Sequence, residues 1–266
     1  MSKIINIFSN EYDLSIKTKK KVIEGFESQG YTISKTFNPD AYLNIVIGGD
    51  GTFIKAVQDT KFSSIPFVGI NTGHLGFYQE VSYKDIDGII DKITNEEYSI
   101  QDLQILDCKV YTEYDYHEFL SLNEVVLKAK YTSIIHFNLY VNDILLESFA
   151  GDGVIFSTPS GSTAYNLSAG GAILYQTLEG FQITPLAPIR SSLHRSLDKS
   201  LVVPKDTTIK LITKKREETF SSLGIDGVQQ EFEDINHIDI KLSDIRIKKL
   251  VFDENWYWRN VKEKFI

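Results

Sequence analysis

The sequence predicts an α/β N-terminal domain, with a parallel, Rossmann-like sheet, followed by a β-rich C-terminal domain. In the first hundred residues, short apolar runs alternate with amphipathic stretches of helical spacing, which predicts a parallel sheet covered by helices. After about residue 100, short strands separated by turn residues predominate. The 266 residues, 42% of them hydrophobic, are enough for one large domain or two small ones. We expect domains at residues 1–100 and 101–252, and we expect the aromatic tail of about 253–266 to return to the first domain.

The first domain is predicted to contain four strands and three helices. Apolar residues at helical spacing mark each helix, and Gly30 is suited to end the first one. The predicted strands are Lys3–Phe8, Tyr31–Ser34, Leu43–Ile47 and Ile65–Ile70, and the predicted helices are Leu14–Gln29, Thr52–Thr60 and Tyr83–Ile93.

The second domain is predicted to be mainly strands, with helical pieces only at Ser162–Gly170 and Leu193–Leu197. The pair Asn142-Asp143 has the composition of a hairpin turn. The predicted strands are Leu103–Val110, Glu124–Ala129, Ile134–Val141, Ile144–Phe149, Val154–Ser157, Leu201–Pro204, Ile209–Thr213 and Ile238–Leu242.

Composition narrows the function classes. The formal net charge of −8, from 28 basic and 36 acidic residues, argues against a nucleic-acid binder, which would show a basic face. The single cysteine, Cys108, excludes an internal disulfide framework and a multi-cysteine zinc site. The N-terminus does not resemble a signal peptide, and no apolar run approaches the length of a membrane span. We therefore expect a cytoplasmic protein that binds neither nucleic acid nor membrane.

The motif Gly-Gly-Asp-Gly-Thr at residues 48–52 follows a predicted strand and opens a predicted helix. Glycines let the chain turn sharply, and the N–H groups at a helix N-terminus favour an anion. The motif is neither a Walker A loop nor a GxGxxG dinucleotide motif. A carboxylate in this position, Asp50, suits phosphoryl transfer to a hydroxyl better than plain phosphate binding. The similar Asp87-Gly88 pair lies in a helical context and is interpreted as structural.

Three further polar motifs follow in the second domain. Asn123-Glu124 begins a predicted strand and, taken alone, is interpreted as a solvated pair. The run from Gly151 to Gly171 is rich in glycine, serine and threonine, which suits either a capped loop or an anion site. Asp226-Gly227 is predicted to be a type I′ hairpin turn.

Taken together, the motifs resemble those of the NAD kinase family in order and approximate spacing. They are GGDGTF at 48–53, GINTGHLGF at 69–77, NE at 123–124 and GDGVIFSTPSGSTAYNLSAGG at 151–171. The resemblance implies phosphoryl transfer from ATP, or polyphosphate, to the 2′-hydroxyl of the adenosine ribose of NAD, which gives NADP. It also implies a site between the two domains and a homodimer or homotetramer. Because transfer of the ATP γ-phosphate needs a metal ion to bridge charge, we expect Mg²⁺ with ATP, and the sequence reveals no dedicated metal site.

The same resemblance assigns roles to individual residues. Asp50 would accept the proton of the 2′-hydroxyl, with Gly51 beside the nucleotide. Asn123 and Glu124 would hold the adenosine part of NAD, and Asp152 the nicotinamide side. Asp226 would lie close by. The residues that would line the dinucleotide pocket are Thr163, Ala164, Tyr165, Asn166, Leu167, Ser168 and Ala187.

The sequence departs from the family pattern where the NAD phosphates are neutralised. Many members carry an arginine where this chain has Ala150, and the segment Leu186–Arg195 matches only loosely. Lys55 is the best local substitute for that charge, with Arg190 or Arg195 as alternatives.

Two other functions stay open at this point. A lipid or sugar kinase could carry a GGDGT motif, because diacylglycerol kinases and phosphofructokinases have related versions, but it would not need the TAYN stretch. A non-catalytic dinucleotide sensor would fit the departures from the pattern. Retention of Asp50 speaks against a sensor, because binding alone does not favour a carboxylate near phosphates.

Overall fold

The computed structural model describes residues 3–74, 76–130, 133–189, 196–214, 221–232 and 235–266. The chain divides into two compact units, Met1–Leu103 together with Arg246–Ile266, and Gln104–Ile245. The helices are α1 (Asp13–Ser28), α2 (Asp50–Asp59), α3 (Ile86–Thr94), α4 (Tyr165–Ser168) and α5 (Trp256–Phe265). The strands are β1 (Ile4–Ser9), β2 (Thr32–Ile33), β3 (Leu43–Gly48), β4 (Phe67–Asn71), β5 (Val81–Ser82), β6 (Ser99–Tyr111), β7 (Tyr116–Ser121), β8 (Glu124–Ala129), β9 (Ile135–Val141), β10 (Ile144–Gly151), β11 (Gly153–Ser157), β12 (Gly180–Leu186), β13 (Leu201–Pro204), β14 (Ile209–Thr213), β15 (Ser221–Ile225), β16 (Val228–Glu231) and β17 (His237–Val251).

The first unit is a parallel sheet with helices packed on it. Strands β2, β1, β3 and β4 lie side by side in that order and run parallel, with β5 parallel to β4. All six residues of β3 are buried, as expected for a strand covered on both faces. Helix α1 buries positions three or four residues apart, including Val22 and Phe26. Gly48 and Asn71, at the carboxyl ends of β3 and β4, are register partners, which brings the loops after both strands to one edge of the sheet.

The second unit consists of antiparallel strands around one apolar core. One set has the order β13-β12-β11-β8-β15-β16, and another joins β10, β9, β14 and β17. Alternate side chains of these strands meet in the core, including Phe137 and Phe149, which stack with centroids 4.6 Å apart. Cys108 is buried in this core, so it serves as a small apolar residue there.

The predicted fold class is confirmed, and the differences lie in individual elements. Strands β7 and β12 were not predicted, because the first is polar and exposed and the second contains Gly180 and Pro185. The helix predicted over Ser162–Gly170 is a 3₁₀ turn at Ser160–Thr163 and the short α4, broken at Ala164, whose ψ is −132°. The piece predicted at Leu193–Leu197 falls mostly outside the described residues. Within the described part of the chain, no helix is long and apolar enough to cross a membrane.

Candidate active site

Asp50 follows the buried strand β3 and is the first residue of α2. The turn before it requires glycine: a Cβ atom at position 48 would lie 2.3 Å from Oγ1 of Thr52. The GGDGT motif therefore folds as the predicted strand, turn and helix. It brings Asp50 to the edge of the sheet where the parallel strands end, which is where ligands bind in open α/β sheets.

Two backbone N–H groups orient the Asp50 carboxylate. The Phe77 N–H lies 2.9 Å from both Oδ1 and Oδ2, and the Tyr78 N–H donates to Oδ1 at 3.0 Å. These donors can approach because residue 76 is glycine: a Cβ atom there would stand 2.2 Å from Oδ1. Oδ2 accepts only the Phe77 N–H, so it keeps a lone pair that can accept a further hydrogen bond.

Side chains hold the segment 76–78 in place from two sides. The Tyr78 ring stacks on Phe53 of α2, with centroids 4.7 Å apart and planes 6° from parallel, and both rings are buried. Asn260 of α5 donates its Nδ2 hydrogen to the carbonyl of Gly76 at 2.5 Å. The peptide groups that orient Asp50 are thus fixed by packing as well as by hydrogen bonds.

A buried ammonium lies within electrostatic reach of Asp50. Lys249 on β17 is only 1% exposed, and burial lowers its pKa to about 8. The negative charges of Glu80 and Asp50 oppose that fall by favouring the ammonium form. The Lys249 Nζ atom also lies 4.8 Å from the centroid of the Trp256 ring, a cation–π distance. No motif in the sequence marks this lysine.

A pocket of about 350 Å³ opens beside Asp50. The described residues that line it are Asn10, Tyr12, Gly49, Asp50, Thr72, Gly73, His74, Gly76 and Lys264. Asn71 shapes one wall, because its side chain accepts the Gly73 N–H and donates to the His74 carbonyl. Gly51 and Lys55 are exposed on α2 and are not among these lining residues. The ammonium group in this pocket belongs instead to Lys264, which no sequence motif indicated.

In the second unit, Asp226 occupies the hairpin turn between β15 and β16. Asp226 and Gly227 have φ values of 47° and 81°, as a type I′ turn requires. The Asp226 carboxylate does more than form a turn. It accepts hydrogen bonds from the Ser121 hydroxyl at 2.6 Å and from three successive N–H groups: Leu122 at 2.8 Å, Asn123 at 2.7 Å and Glu124 at 3.3 Å. Asp226 therefore fixes the backbone that presents the predicted Asn123-Glu124 pair.

Glu124 is a buried acid beside a second acid. It is 7% exposed, and its Oε2 atom has no hydrogen-bond partner among the described residues. Burial raises its pKa to about 8, and the charge of Asp226 adds to the rise. The raised pKa favours the protonated carboxyl, which carries both a donor and an acceptor. The interpretation of Asn123-Glu124, taken alone, as a solvated pair is wrong, because both residues are buried.

The glycine- and serine-rich segment packs directly against this pair. The Thr158 N–H donates to the Asn123 carbonyl at 2.9 Å, and the Thr158 hydroxyl donates to the Leu122 carbonyl at 2.6 Å. A Cβ atom at position 161 would lie 2.1 Å from the Asn123 carbonyl oxygen, so glycine is required there. The structure thus brings together Asn123, Glu124, Asp226 and the start of the TPSGSTAYN stretch.

Tyr165 and Asn166 occupy contrasting environments. Tyr165 is 39% exposed, and Lys128 donates to its hydroxyl at 3.1 Å. Asn166 is fully buried: it accepts the Thr184 hydroxyl hydrogen at 2.6 Å and donates to the Ser162 carbonyl at 3.3 Å. The Asn166 side chain therefore braces the loop, and its role as a dinucleotide ligand stays a prediction.

The remaining predicted pocket residues lie on the same stretch or on the strand beside it. Thr163, Ala164 and Leu167 are partly buried, and Ser168 is exposed. Asp152 is also exposed, between β10 and β11. Ala187 follows β12 with a φ of 42°, a left-handed conformation that is uncommon for alanine.

The comparisons with known proteins agree with this architecture. The family model described as ATP-NAD kinase N-terminal domain matches residues 8–98, and the ATP-NAD kinase C-terminal domain model matches residues 122–244. An NAD kinase of Finegoldia magna is 45% identical over 269 residues, covering 100% of this chain and 98% of the relative. An NAD kinase of Clostridium beijerinckii is 33% identical over 271 residues, covering 100% of this chain and 90% of the relative.

Solved structures with low sequence identity share the fold. Yeast NADH kinase complexed with NADH superposes with a TM-score of 0.86 at 19% identity, covering 99% of this chain and 87% of that one. An NAD kinase from Archaeoglobus fulgidus in complex with ATP gives 0.79 at 24% identity, covering 98% of both. The fold and the matched domains define a phosphotransferase. More narrowly, the chain belongs to the ATP-NAD kinase family.

Proposed function

We propose that this protein phosphorylates the 2′-hydroxyl of the adenosine ribose of NAD with MgATP, and that Asp50 accepts the hydroxyl proton. The observation that supports this role most directly is the orientation of the carboxylate. Phe77 and Tyr78 fix it through their N–H groups while it lines a pocket of about 350 Å³. A general base must be held within hydrogen-bond reach of the proton that it takes.

The chemistry limits what Asp50 has to do. A ribose hydroxyl is a far weaker acid than a carboxylic acid, so Asp50 does not ionise it in advance. Phosphoryl transfer proceeds through a loose transition state, and the proton moves to the carboxylate as the new O–P bond forms. Positioning and charge neutralisation therefore supply most of the rate, and the base supplies roughly 10²–10⁴-fold.

The described residues do not offer a metal cage of their own. They contain no group of three or more histidine, cysteine, aspartate or glutamate side chains placed to hold an ion. The Asp50 carboxylate is also engaged by the two N–H groups. On the family resemblance, we propose that Mg²⁺ enters with ATP, because transfer of the γ-phosphate needs a metal ion to neutralise the charge of the phosphate chain.

For the acceptor, we propose that Asn123 and Glu124 hold the adenosine part of NAD and that Asp152 lies at the nicotinamide side. Tyr165 and its neighbours on the TAYN stretch would line the pocket. The unpartnered Oε2 of Glu124 supports this role, because a buried polar atom without a protein partner is suited to bind a ligand hydroxyl or amine. We further propose a homodimer or homotetramer in the cytoplasm, on the family resemblance alone.

The decisive experiment measures NADP formation from NAD and MgATP with the purified protein. We expect turnover for the wild type and a loss of at least 10²-fold for Asp50→Asn, with NAD still bound. A wild type that binds NAD but forms no NADP would support the sensor, and activity on a lipid or free sugar instead of NAD would support the other kinase class. Near-normal turnover of Asp50→Asn would refute the role of this carboxylate.

A further inference from the structure

Helix α5 packs against the segment that orients Asp50. The Phe77 ring lies 5.8 Å from Tyr257 and 5.7 Å from Phe265, measured between centroids, and it is nearly parallel to the Phe265 ring. Asn260 on the same helix hydrogen-bonds to the Gly76 carbonyl. Three contacts spread along α5 therefore fix this helix relative to the peptide groups that hold the carboxylate.

This packing places an ammonium group at the Asp50 pocket. Lys264 lines the pocket, and its Nζ atom lies 4.9 Å from the centroid of Phe77. In the part of the chain that the structure describes, this ammonium makes neither an ion pair nor a hydrogen bond. The cation–π contact with Phe77 restrains it on the pocket side without neutralising it.

We propose that Lys264 binds the terminal phosphate of MgATP and neutralises it during transfer. This inference rests on the proposed function of the same site. The base that takes the proton contacts the attacking oxygen, and this oxygen bonds directly to the transferred phosphorus, so the terminal phosphate of MgATP lies close to Asp50 during transfer. Lys264 shares a pocket with that base, so its charge lies where negative charge on the transferred group has to be balanced.

The charge balance of the pocket supports this role. Its described lining holds one carboxylate, Asp50, and one ammonium, Lys264. Asp50 and Lys264 are not joined by an ion pair, and Asp50 is already engaged by the N–H groups of Phe77 and Tyr78. Lys55, for which the sequence predicted a different role at the phosphates of NAD, lies outside this lining.

The test compares three variants in steady-state assays with MgATP varied at saturating NAD. Lys264→Met keeps an aliphatic chain over Phe77 but removes the charge, and Lys264→Arg keeps the charge. Lys262→Met is the matched control, because Lys262 is an exposed lysine of the same helix turn outside the pocket lining. Inhibition by inorganic tripolyphosphate probes the phosphate chain without the nucleoside.

We expect Lys264→Met to lower kcat/KM for MgATP by about 10-fold to 100-fold, with weaker tripolyphosphate inhibition and an unchanged Kd for NAD. Lys264→Arg should recover most of the loss, and Lys262→Met should stay within about twofold of wild type. The inference is overturned if Lys264→Met matches wild type, or if it weakens NAD instead of MgATP. A wild type that makes no NADP would defeat the proposed function itself, so the two failures can be told apart. Equal melting temperatures of the variants confirm that α5 still packs.

Discussion

Gly76 approaches Asp50 so closely that no side-chain atom fits between the Gly76 backbone and the carboxylate. A Cβ atom would stand 2.2 Å from Oδ1 of Asp50 and 2.6 Å from Oε1 of Gln79. Gln79 is itself buried, so its side chain cannot swing into solvent, and Asp50 is held by the N–H groups of Phe77 and Tyr78. The second glycine of GHLGF is therefore required by the carboxylate that it faces.

Gly76→Ala should displace the Asp50 carboxylate and weaken its hydrogen bonds to the Phe77 and Tyr78 N–H groups. Because an error of about 1 Å in a catalytic group costs on the order of 10²-fold, we expect kcat to fall by about that factor. Calorimetry should show the Kd for NAD unchanged. The control is Gly224→Ala, where a Cβ atom meets Val126 only at an ordinary 3.7 Å. Wild-type turnover in Gly76→Ala would contradict the orientation argument.

Asp226→Asn should weaken NAD binding by about tenfold and lower the free energy of unfolding by roughly 1–3 kcal/mol. The amide keeps one acceptor oxygen, but its NH₂ group would face donors that the carboxylate now accepts, from Ser121 to Glu124. Titration with NAD and thermal melting measure the two effects. Asp143→Asn, in the other two-residue hairpin turn, is the control. Equal effects of both substitutions would show that the turn matters and its carboxylate does not.

Glu124→Gln should change how stability depends on pH. In the unfolded chain Glu124 ionises near its ordinary pKa of 4.5, whereas the folded protein keeps it protonated up to about pH 8. The wild type therefore loses stability as pH rises from about 4.5 to 8, and the amide variant does not. We expect the free energy of unfolding of the variant to rise by a few kcal/mol relative to that of wild type as pH increases across that window. Calorimetric melts at pH 5 and pH 8 check this, and a difference that stays constant with pH would contradict it.

Tyr165→Ala should weaken NAD binding by roughly 1–3 kcal/mol, the range for a base stacked on an aromatic ring. Because Tyr165 is 39% exposed, the melting temperature should change little. Tyr165→Phe should keep most of the affinity, since it removes only the hydroxyl that Lys128 contacts. Tyr114→Ala, at a side chain that is 91% exposed, is the control. An unchanged Kd for Tyr165→Ala would make this ring a surface residue.

The sequence predictions that the structure confirms rest on patterns within short stretches of the chain. Alternating strands and helices are encoded within short windows, so the parallel sheet and the strand–turn–helix around Asp50 could be predicted. The type I′ turn at Asp226-Gly227 is equally local, because it depends on two residues that tolerate positive φ. The roles assigned to individual binding residues remain predictions.

What could not be predicted depends on contacts between distant parts of the chain. Asp226 reaches a Ser121 hydroxyl 105 positions away, and the Asn260 amide reaches Gly76 across 184 positions. No pattern in either segment refers to the other. Lys264, at the C-terminal end of α5, is also far in sequence from the GGDGT motif with which it shares the pocket, so no local pattern indicated it.

The stack of Tyr78 on Phe53 has a consequence for inactivation by heat. The Tyr78 ring packs on α2, and the N–H group of the same residue orients Asp50, so loosening this contact would weaken one of the restraints on the base. If heating separates the two rings before the sheets melt, the protein would lose its turnover. Its secondary-structure spectrum would stay native. The half-life of activity at elevated temperature should therefore shorten when this ring contact is weakened.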